Sequence, residues 1–366
     1  MKKVRILHVI YGLALGGAEN FIYNVLQLID PDRFIFDFAL QLPEIRHVKF
    51  KNLIEERGGK IYFIPDFKKN PIGQYRELSK ILKRTEYDFV HIHMNAFINP
   101  IPAIAASRFD NKVIIHSHNT KNDLGGKLGY LLHKINCKLY LKDKFINIAC
   151  GEDAGKWMFK DKPHKIIYNA VDLKKFSFSE EARIRIRQKY NLTDEFVIGQ
   201  VGKLESVKNQ KFSIRLLSEY LKRYPESNAK LLLVGMGTME QDLKDLTEKL
   251  GLKEHVIFAG GVSNPEEFYS AFDCMLLPSL YEGFAFVAVE AQAAGLRVIA
   301  SNNNTRHINI TGAVSFCDIN TPASWLEKII DCNNNYNREI IQNKLIGTPF
   351  DSAKLKLVME DIYFVP

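Results

Sequence analysis

Short apolar runs recur along the chain, each separated from the next by a longer amphipathic stretch: Val4 to Tyr11, Asp88 to Met94, Val113 to Ser117, Phe145 to Cys150, Phe196 to Val201, Lys230 to Gly235, Val256 to Ala259, Cys274 to Pro278 and Val298 to Ser301. Runs this short and continuous read as buried strands, and helical spacers between them predict a parallel, doubly wound α/β fold. The rhythm pauses between Tyr168 and Asn191, where an Asn-Ala-Val-Asp loop and a charged helix precede the strand beginning at Phe196. A chain of 366 residues exceeds one ordinary domain. The pause therefore predicts two Rossmann-like halves, 1–167 and 168–350, with a hinge near 168–178. In the segment Asp351 to Phe364, Leu355, Val358, Met359 and Ile362 stand at helical spacing, so it should be an amphipathic helix, with the first half as one available partner.

Composition removes several classes. With 46% hydrophobic and 25% charged residues, the chain is globular rather than disordered or collagenous. Its five cysteines, at 137, 150, 274, 317 and 332, are scattered and never Cys-x-x-Cys, which fits neither a disulfide framework nor a structural zinc site and suggests reduced, mostly buried thiols. No run reaches the roughly 18 apolar residues of a membrane span. The first twenty residues imitate a signal peptide, but His8 interrupts the apolar run, which reads better as a strand feeding a glycine turn. Residues 1–167 hold 27 Lys plus Arg against 17 Asp plus Glu, while the remainder holds 23 against 25. A basic first half suggests an anionic partner such as a phosphorylated substrate or a membrane surface, although dispersed lysines also serve solubility. Without a recognised binding motif, nucleic acid is the weakest partner.

Three places carry candidate chemistry. After the first strand, Gly12 and Gly16-Gly17-Ala18-Glu19 lead into a helix carrying Phe21, Val25, Leu26 and Leu28. Glycines there let backbone amides face an anion, yet they also merely allow a chain reversal, and the spacing is not that of a nicotinamide site. In the second half, Gly202-Lys203 ends a strand and Lys208 follows; two cations at the carboxyl end of a central strand sit where such sheets bind ligands, or they are ordinary solvated lysines. The third runs from Leu277 through Glu282-Gly283-Phe284-Ala285 to Glu290 and Gly295, with two glutamates eight positions apart and the second about two turns inside an apolar helix. A carboxylate in so apolar a stretch needs a partner, either ligand hydroxyls or a buried salt bridge.

Taken in order, Gly16-Gly17-Ala18-Glu19, Asp88 to His93, His116-Ser117-His118-Asn119, Tyr168 to Asp172, Val201 to Asn209, Leu233-Val234-Gly235-Met236-Gly237 and Leu277 to Gly295 resemble the retaining, nucleotide-sugar-dependent glycosyltransferases of family 4, particularly those of bacterial capsule, exopolysaccharide or lipopolysaccharide biosynthesis. The resemblance spans most of the chain, and the Glu-x7-Glu segment is its specific part. It implies a GT-B architecture, two Rossmann-like domains facing across a cleft. It implies that Glu282 lies near the transferred sugar and that Glu290 hydrogen-bonds the ribose of the donor. Lys203 and Lys208 match the basic pair on the diphosphate, Gly16 and Gly17 a loop approaching the distal phosphate, and His118 a histidine facing the reacting sugar. Gly202, Gly235, Gly283, Phe284 and Ala285 fall in the same donor-binding segments. Where the sequence departs from the pattern, Lys203 replaces a common arginine, Ala285 a glycine or proline and Arg297 a proline, and the segment after Ser301 diverges.

The resemblance also implies a front-face, retaining transfer from a nucleotide diphosphate sugar, most simply a UDP-sugar, to a growing surface saccharide or lipid-linked saccharide, without a metal or cofactor, in the cytoplasm, where the inner face of the cell membrane is one available place. A nucleotide-sugar 2-epimerase of the same architecture and a non-catalytic glycan-binding or membrane-scaffold relative are the alternatives. Asp30-Pro31-Asp32 spells the metal-binding pattern of another glycosyltransferase fold but stands in a turn context, and His8, His91 and His93 read as packing or cleft-lining residues rather than zinc ligands. Leu128, Leu131, Leu132, Ile135 and Leu139 form an apolar stripe on a helix that also carries Lys127, Lys134, Lys138 and Lys142. Such a helix packs on its sheet through the leucines or rests them on an anionic membrane.

Overall fold

The computed structural model describes residues 2–13, 16–43, 45, 48–119, 126–282, 284–333 and 336–364. Its strands are β1 (Val4–Ile10), β2 (Phe34–Leu40), β3 (Ile61–Phe63), β4 (Phe89–Met94), β5 (Lys112–Ser117), β6 (Ile146–Ala149), β7 (Lys165–Ile166), β8 (Val197–Val201), β9 (Lys230–Val234), β10 (Val256–Gly260), β11 (Cys274–Leu277), β12 (Val298–Ser301) and β13 (Val314–Cys317). They form two all-parallel sheets, in the orders β3-β2-β1-β4-β5-β6-β7 and β10-β9-β8-β11-β12-β13. Both orders reverse direction beside their first strand, between β1 and β4 and between β8 and β11, which is the doubly wound pattern. The backbone divides into a first unit of Met1–Ala170 with Ser352–Pro366 and a second of Val171–Asp351.

Four of these strands are absent from the sequence reading. In β2 the apolar run Phe34 to Leu40 is broken by Asp37, a fully buried carboxylate. Arg5 Nε at 2.8 Å, the Tyr87 hydroxyl at 2.7 Å and the Lys60 amide at 2.8 Å all donate to Asp37, so a charge that argues against a core strand is satisfied inside one. The others, β3, β7 and β13, lie outermost in their sheets and are two to four residues long, too short for periodicity to reveal.

Each sheet is covered on both faces. In the first unit, Ile6, Phe36, Phe38, Phe89 and Ile114 pack against Phe21, Ile22 and Val25 of the helix Gly17–Leu28 and against Leu355, Met359 and Ile362 of the helix Ser352–Ile362. Leu7, Val9, Ile92 and Ile115 face the opposite way, toward Leu78, Ala103 and Met158. In the second unit, Ile198, Leu231 and Leu233 pack on Ile214, Leu217 and Trp325, while Val197, Leu232 and Met275 meet Phe268, Ala288 and Ala291. Burying one such side chain contributes about 1.5–3 kcal/mol.

Candidate functional site

The carboxyl ends of β8 and β11 flank the reversal point of the second sheet, the position where open α/β sheets leave a crevice. β8 runs into Gly202-Lys203, a short 3-10 turn over Ser206–Lys208, and Asn209 in the left-handed conformation (φ +54°) before the helix Gln210–Arg223. β11 runs into Pro278 and on to Glu282. Cross-links fix the two loops together: the Leu280 amide donates to the Val207 carbonyl at 2.8 Å and the Asn209 side chain to the Pro278 carbonyl at 3.2 Å. Beneath them the Gln200 amide donates to the Lys208 carbonyl at 2.8 Å, and that of Gln210 to the Lys203 carbonyl at 2.8 Å.

This scaffold brings two of the expected residues into contact. The Lys208 ammonium donates to Glu282 Oε1, and the same oxygen accepts from the Ser279 hydroxyl at 2.9 Å. Lys203 is exposed on the same loop. Gly202 and Gly235 end β8 and β9 with φ of +149° and +142°, and a Cβ on Gly235 would collide with the Gly202 carbonyl oxygen. Gly283 lies outside the described residues. Ala285 is buried, and Phe284 stacks on Phe350 with centroids 5.4 Å apart.

Glu290 is the fifth residue of the helix Phe286–Ala293, one turn inside rather than two, because the helix begins at Phe286. The buried Tyr269 hydroxyl donates to its Oε2 at 2.6 Å, and burial raises its carboxyl pKa. A phenol thus fills the partner role for which sequence offered ligand hydroxyls or a salt bridge. Neither Tyr269, 21 residues away, nor Gln200 has a local signal in sequence; Ser279 has one, three residues before Glu282 in the same loop.

The remaining expected residues belong to the first unit. Gly16 caps the helix Gly17–Leu28 in extended conformation, and among the described residues nothing stands within 4 Å of where a Gly17 side chain would begin. With four orphan amides at such an end, the turn is competent to meet an anion. His118 follows β5; its amide donates to the Met94 carbonyl at 3.0 Å and its ring Nε2 meets His93 Nδ1 at 2.9 Å. Burial lowers its pKa, so the ring is neutral near pH 7. Two triads, His8 with His91 and His93, and His93 with His116 and His118, bring ring nitrogens within 4.8 Å of one another. The Asp32 amide donates to Asp30 at 2.8 Å, a local turn contact.

The helix Gly126–Tyr140 corrects the sheet-packing reading of its leucines. It buries Gly129, His133 and Asn136 instead. His133 accepts from the Phe97 amide at 3.0 Å and contacts the Trp157 carbonyl at 3.2 Å, while Asn136 donates to the carbonyls of Phe97 and Ile98. Polar docking turns Leu128, Leu131 and Leu139 outward, 67%, 52% and 61% exposed, beside exposed Lys127, Lys134, Lys138 and Lys142.

Residues 182–344 match the family model described as glycosyl transferases group 1. Over 98% of this chain and 96% of its own length, the putative glycosyltransferase EpsF of Bacillus subtilis is 28% identical. The N-acetylgalactosamine-N,N'-diacetylbacillosaminyl-diphospho-undecaprenol 4-alpha-N-acetylgalactosaminyltransferase of Campylobacter jejuni is 24% identical over 81% of this chain and 80% of its own. Among solved structures, Anabaena Alr3699/HepE in complex with UDP superposes with a TM-score of 0.78 at 19% identity, covering 98% of this chain and 99% of that one. The same Anabaena protein is also solved with UDP-glucose, at a TM-score of 0.71 over 98% of each chain.

Proposed function

We propose that this chain, a glycosyltransferase of GT-B fold whose residues 182–344 match the group 1 model, moves one sugar from a UDP-sugar to a growing surface polysaccharide or lipid-linked saccharide with retention at the anomeric carbon. The observation that carries the reading is the convergence of Lys208, Ser279 and Glu282 at the reversal point of the second sheet, with exposed Lys203 on the same loop. Breaking the bond from the anomeric carbon to phosphate develops negative charge on the departing diphosphate, and fixed cations stabilise that charge most where it grows. In this reading Lys203 and Lys208 supply those cations. Glu282 neutralises Lys208 when no diphosphate is present and lies beside the transferred sugar. Tyr269 holds one oxygen of Glu290, orienting the carboxylate toward the ribose hydroxyls. A front-face displacement, with the leaving phosphate taking the acceptor proton, needs no protein nucleophile and no metal.

The donor is tested by release of free nucleotide from UDP-, GDP- and ADP-sugars, with and without a membrane lipid extract. UDP-sugar-dependent release that rises with the extract is expected. Lys208→Ala should lower kcat by about a hundredfold, and Glu290→Ala should raise KM by about tenfold. Silence across the panel, or a product of inverted anomeric configuration, refutes the reading.

The acceptor side rests on the Gly126–Tyr140 helix, whose exposed leucines and lysines suit shallow insertion among anionic lipids. Among the described residues no helix is long and apolar enough to cross a membrane. Vesicles containing anionic lipid should retain the protein at low salt and release Leu128→Asp; failure to retain the unmodified protein removes this part of the proposal.

A further inference from the structure

Histidines two apart on β4 (His91, His93) and at the end of β5 (His116, His118), together with His8 on β1, put five imidazoles into one cluster, because alternate residues of a strand share a face. The rings form two rows. In one, His8 Nδ1 meets His93 Nε2 at 2.9 Å and His93 Nδ1 meets His118 Nε2 at 2.9 Å. At both joints the ring centroids stand 5.2 Å apart, with planes inclined by 13° and 30°. That separation is one nitrogen-to-nitrogen contact plus a ring radius at each end, so the imidazoles are linked end to end. In the other row the Tyr363 hydroxyl meets His91 Nδ1 at 2.6 Å, and His91 Nε2 meets His116 Nδ1 at 3.3 Å. The rows lie against each other, His91 stacked on His93 at 4.1 Å and His116 tilted by 31° against His118 at 3.9 Å. Because the rings meet end to end, the facing nitrogens point along the joint, and an ion on that line at about 2.0 Å from each would hold them about 4 Å apart. The 2.9 Å joints therefore suit a shared proton.

A neutral imidazole has one N–H and one lone pair, so a row of three has two possible senses. The inner end decides between them. His8 is 1% exposed, and its buried Nε2 has no hydrogen-bond partner among the described residues. If that nitrogen carried the proton, a buried N–H would be orphaned, which is rarer in proteins than an unused acceptor.

We propose that the row donates outward: His8 Nδ1–H to His93 Nε2, and His93 Nδ1–H to His118 Nε2, which leaves the proton of His118 on Nδ1. His118 then meets the reacting sugar as a neutral hydrogen-bond donor. It is no base, since its one lone pair is engaged by His93. His93 and His8 are positioning residues acting through it. The inference rests on the reading that places His118 at the transferred sugar, but its first test does not.

Histidine-selective 15N labelling of the full chain, with two-bond nitrogen–proton NMR spectra recorded without any sugar nucleotide, reads the tautomers directly. His8, His93 and His118, assigned through single His→Asn variants, should each show the proton on Nδ1, the minor tautomer of a free histidine side chain. A proton on His118 Nε2, or averaging between its two nitrogens, overturns the proposal. The kinetic arm uses His93→Asn, whose amide keeps a donor near the former Nδ1, against His93→Leu, which removes it. With the sugar nucleotide that the donor panel identifies, His93→Leu should lower kcat about tenfold with KM nearly unchanged, as loss of a tautomer-fixing partner does elsewhere, and His93→Asn should restore most of it. A folded His93→Leu with undiminished kcat also overturns it. If the donor panel finds no transferase activity, the tautomer result still stands or falls alone.

Discussion

At Gly235 a single hydrogen in place of a side chain decides whether two loops of the candidate site can meet. Its φ of +142° excludes ordinary residues, and an added Cβ would strike the Gly202 carbonyl oxygen, a backbone atom that cannot swing aside. Gly235→Ala should cost roughly 1–3 kcal/mol of stability and raise KM for the proposed nucleotide-sugar donor, because Gly202 precedes Lys203 and the Lys208 turn. Gly58 has φ +75° with nothing among the described residues within 4 Å of the added atom, so Gly58→Ala measures the strain of a positive φ without a collision. Thermal unfolding and steady-state kinetics of both variants check this; equal effects would reject the collision argument. Charged residues at the ends of apolar runs mark Lys203, Lys208 and Glu282 in sequence, and Glu290 stands out as a charge inside one, although its depth in the helix is one turn rather than two. Their partners are less legible. Tyr269 reaches Glu290 from another helix, and the histidine rows are visible only as His-x-His repeats, a period of two that marks one face of a strand without naming the ring across from it.

For the strand, the same repeats have a thermodynamic consequence. His8, His91, His93 and His116 are at most 7% exposed, and desolvation, its largest cause, lowers the pKa of each below the ordinary value of 6.5, to about 3 for His8. The unfolded chain takes up these protons near pH 6.5 while the folded one refuses them, so the unfolded state binds more protons as pH falls. Their contribution is therefore fully present above pH 6.5 and drains away toward pH 3. A histidine that stays neutral in the folded chain costs up to about 1.4 kcal/mol for each pH unit below 6.5, so the first unit weakens steadily as the pH falls. Hydrogen exchange by mass spectrometry should show amides of β1, β4 and β5 losing protection between pH 7 and 5.5 after correction for intrinsic rates. Unchanged protection would mean that the rings are charged or hydrated in the folded state. These strands are legible because both faces are buried and histidine, neutral when buried, is the only polar residue in the middle of their runs; β2 is hidden because the carboxylate of Asp37 interrupts it, and only the fold supplies Arg5 and Tyr87 as its partners.

For the whole molecule, the path of the chain makes the first unit depend on its last residues. After Asp351 the backbone re-enters that unit as the helix Ser352–Ile362, which packs against the helix Gly17–Leu28. The sequence shows that this segment is amphipathic; it cannot show what the apolar stripe covers, since periodicity describes one surface only. The structure puts Leu355, Met359, Ile362 and Tyr363 into the core with Phe36 and Phe89, and Tyr363 also bonds His91. Four buried side chains are worth roughly 6–12 kcal/mol at most, the size of a domain's entire stability. Truncation after Asp351 should therefore unfold the first unit while leaving β8 to β13 protected, because the two cores of the second unit include no residue beyond that point. Tyr363→Phe, which keeps the ring and removes the hydroxyl, should cost only about 1–2 kcal/mol. Hydrogen exchange on both chains separates the cases: a truncated protein whose β1, β4 and β5 amides stay protected would show that the first sheet does not need this cover.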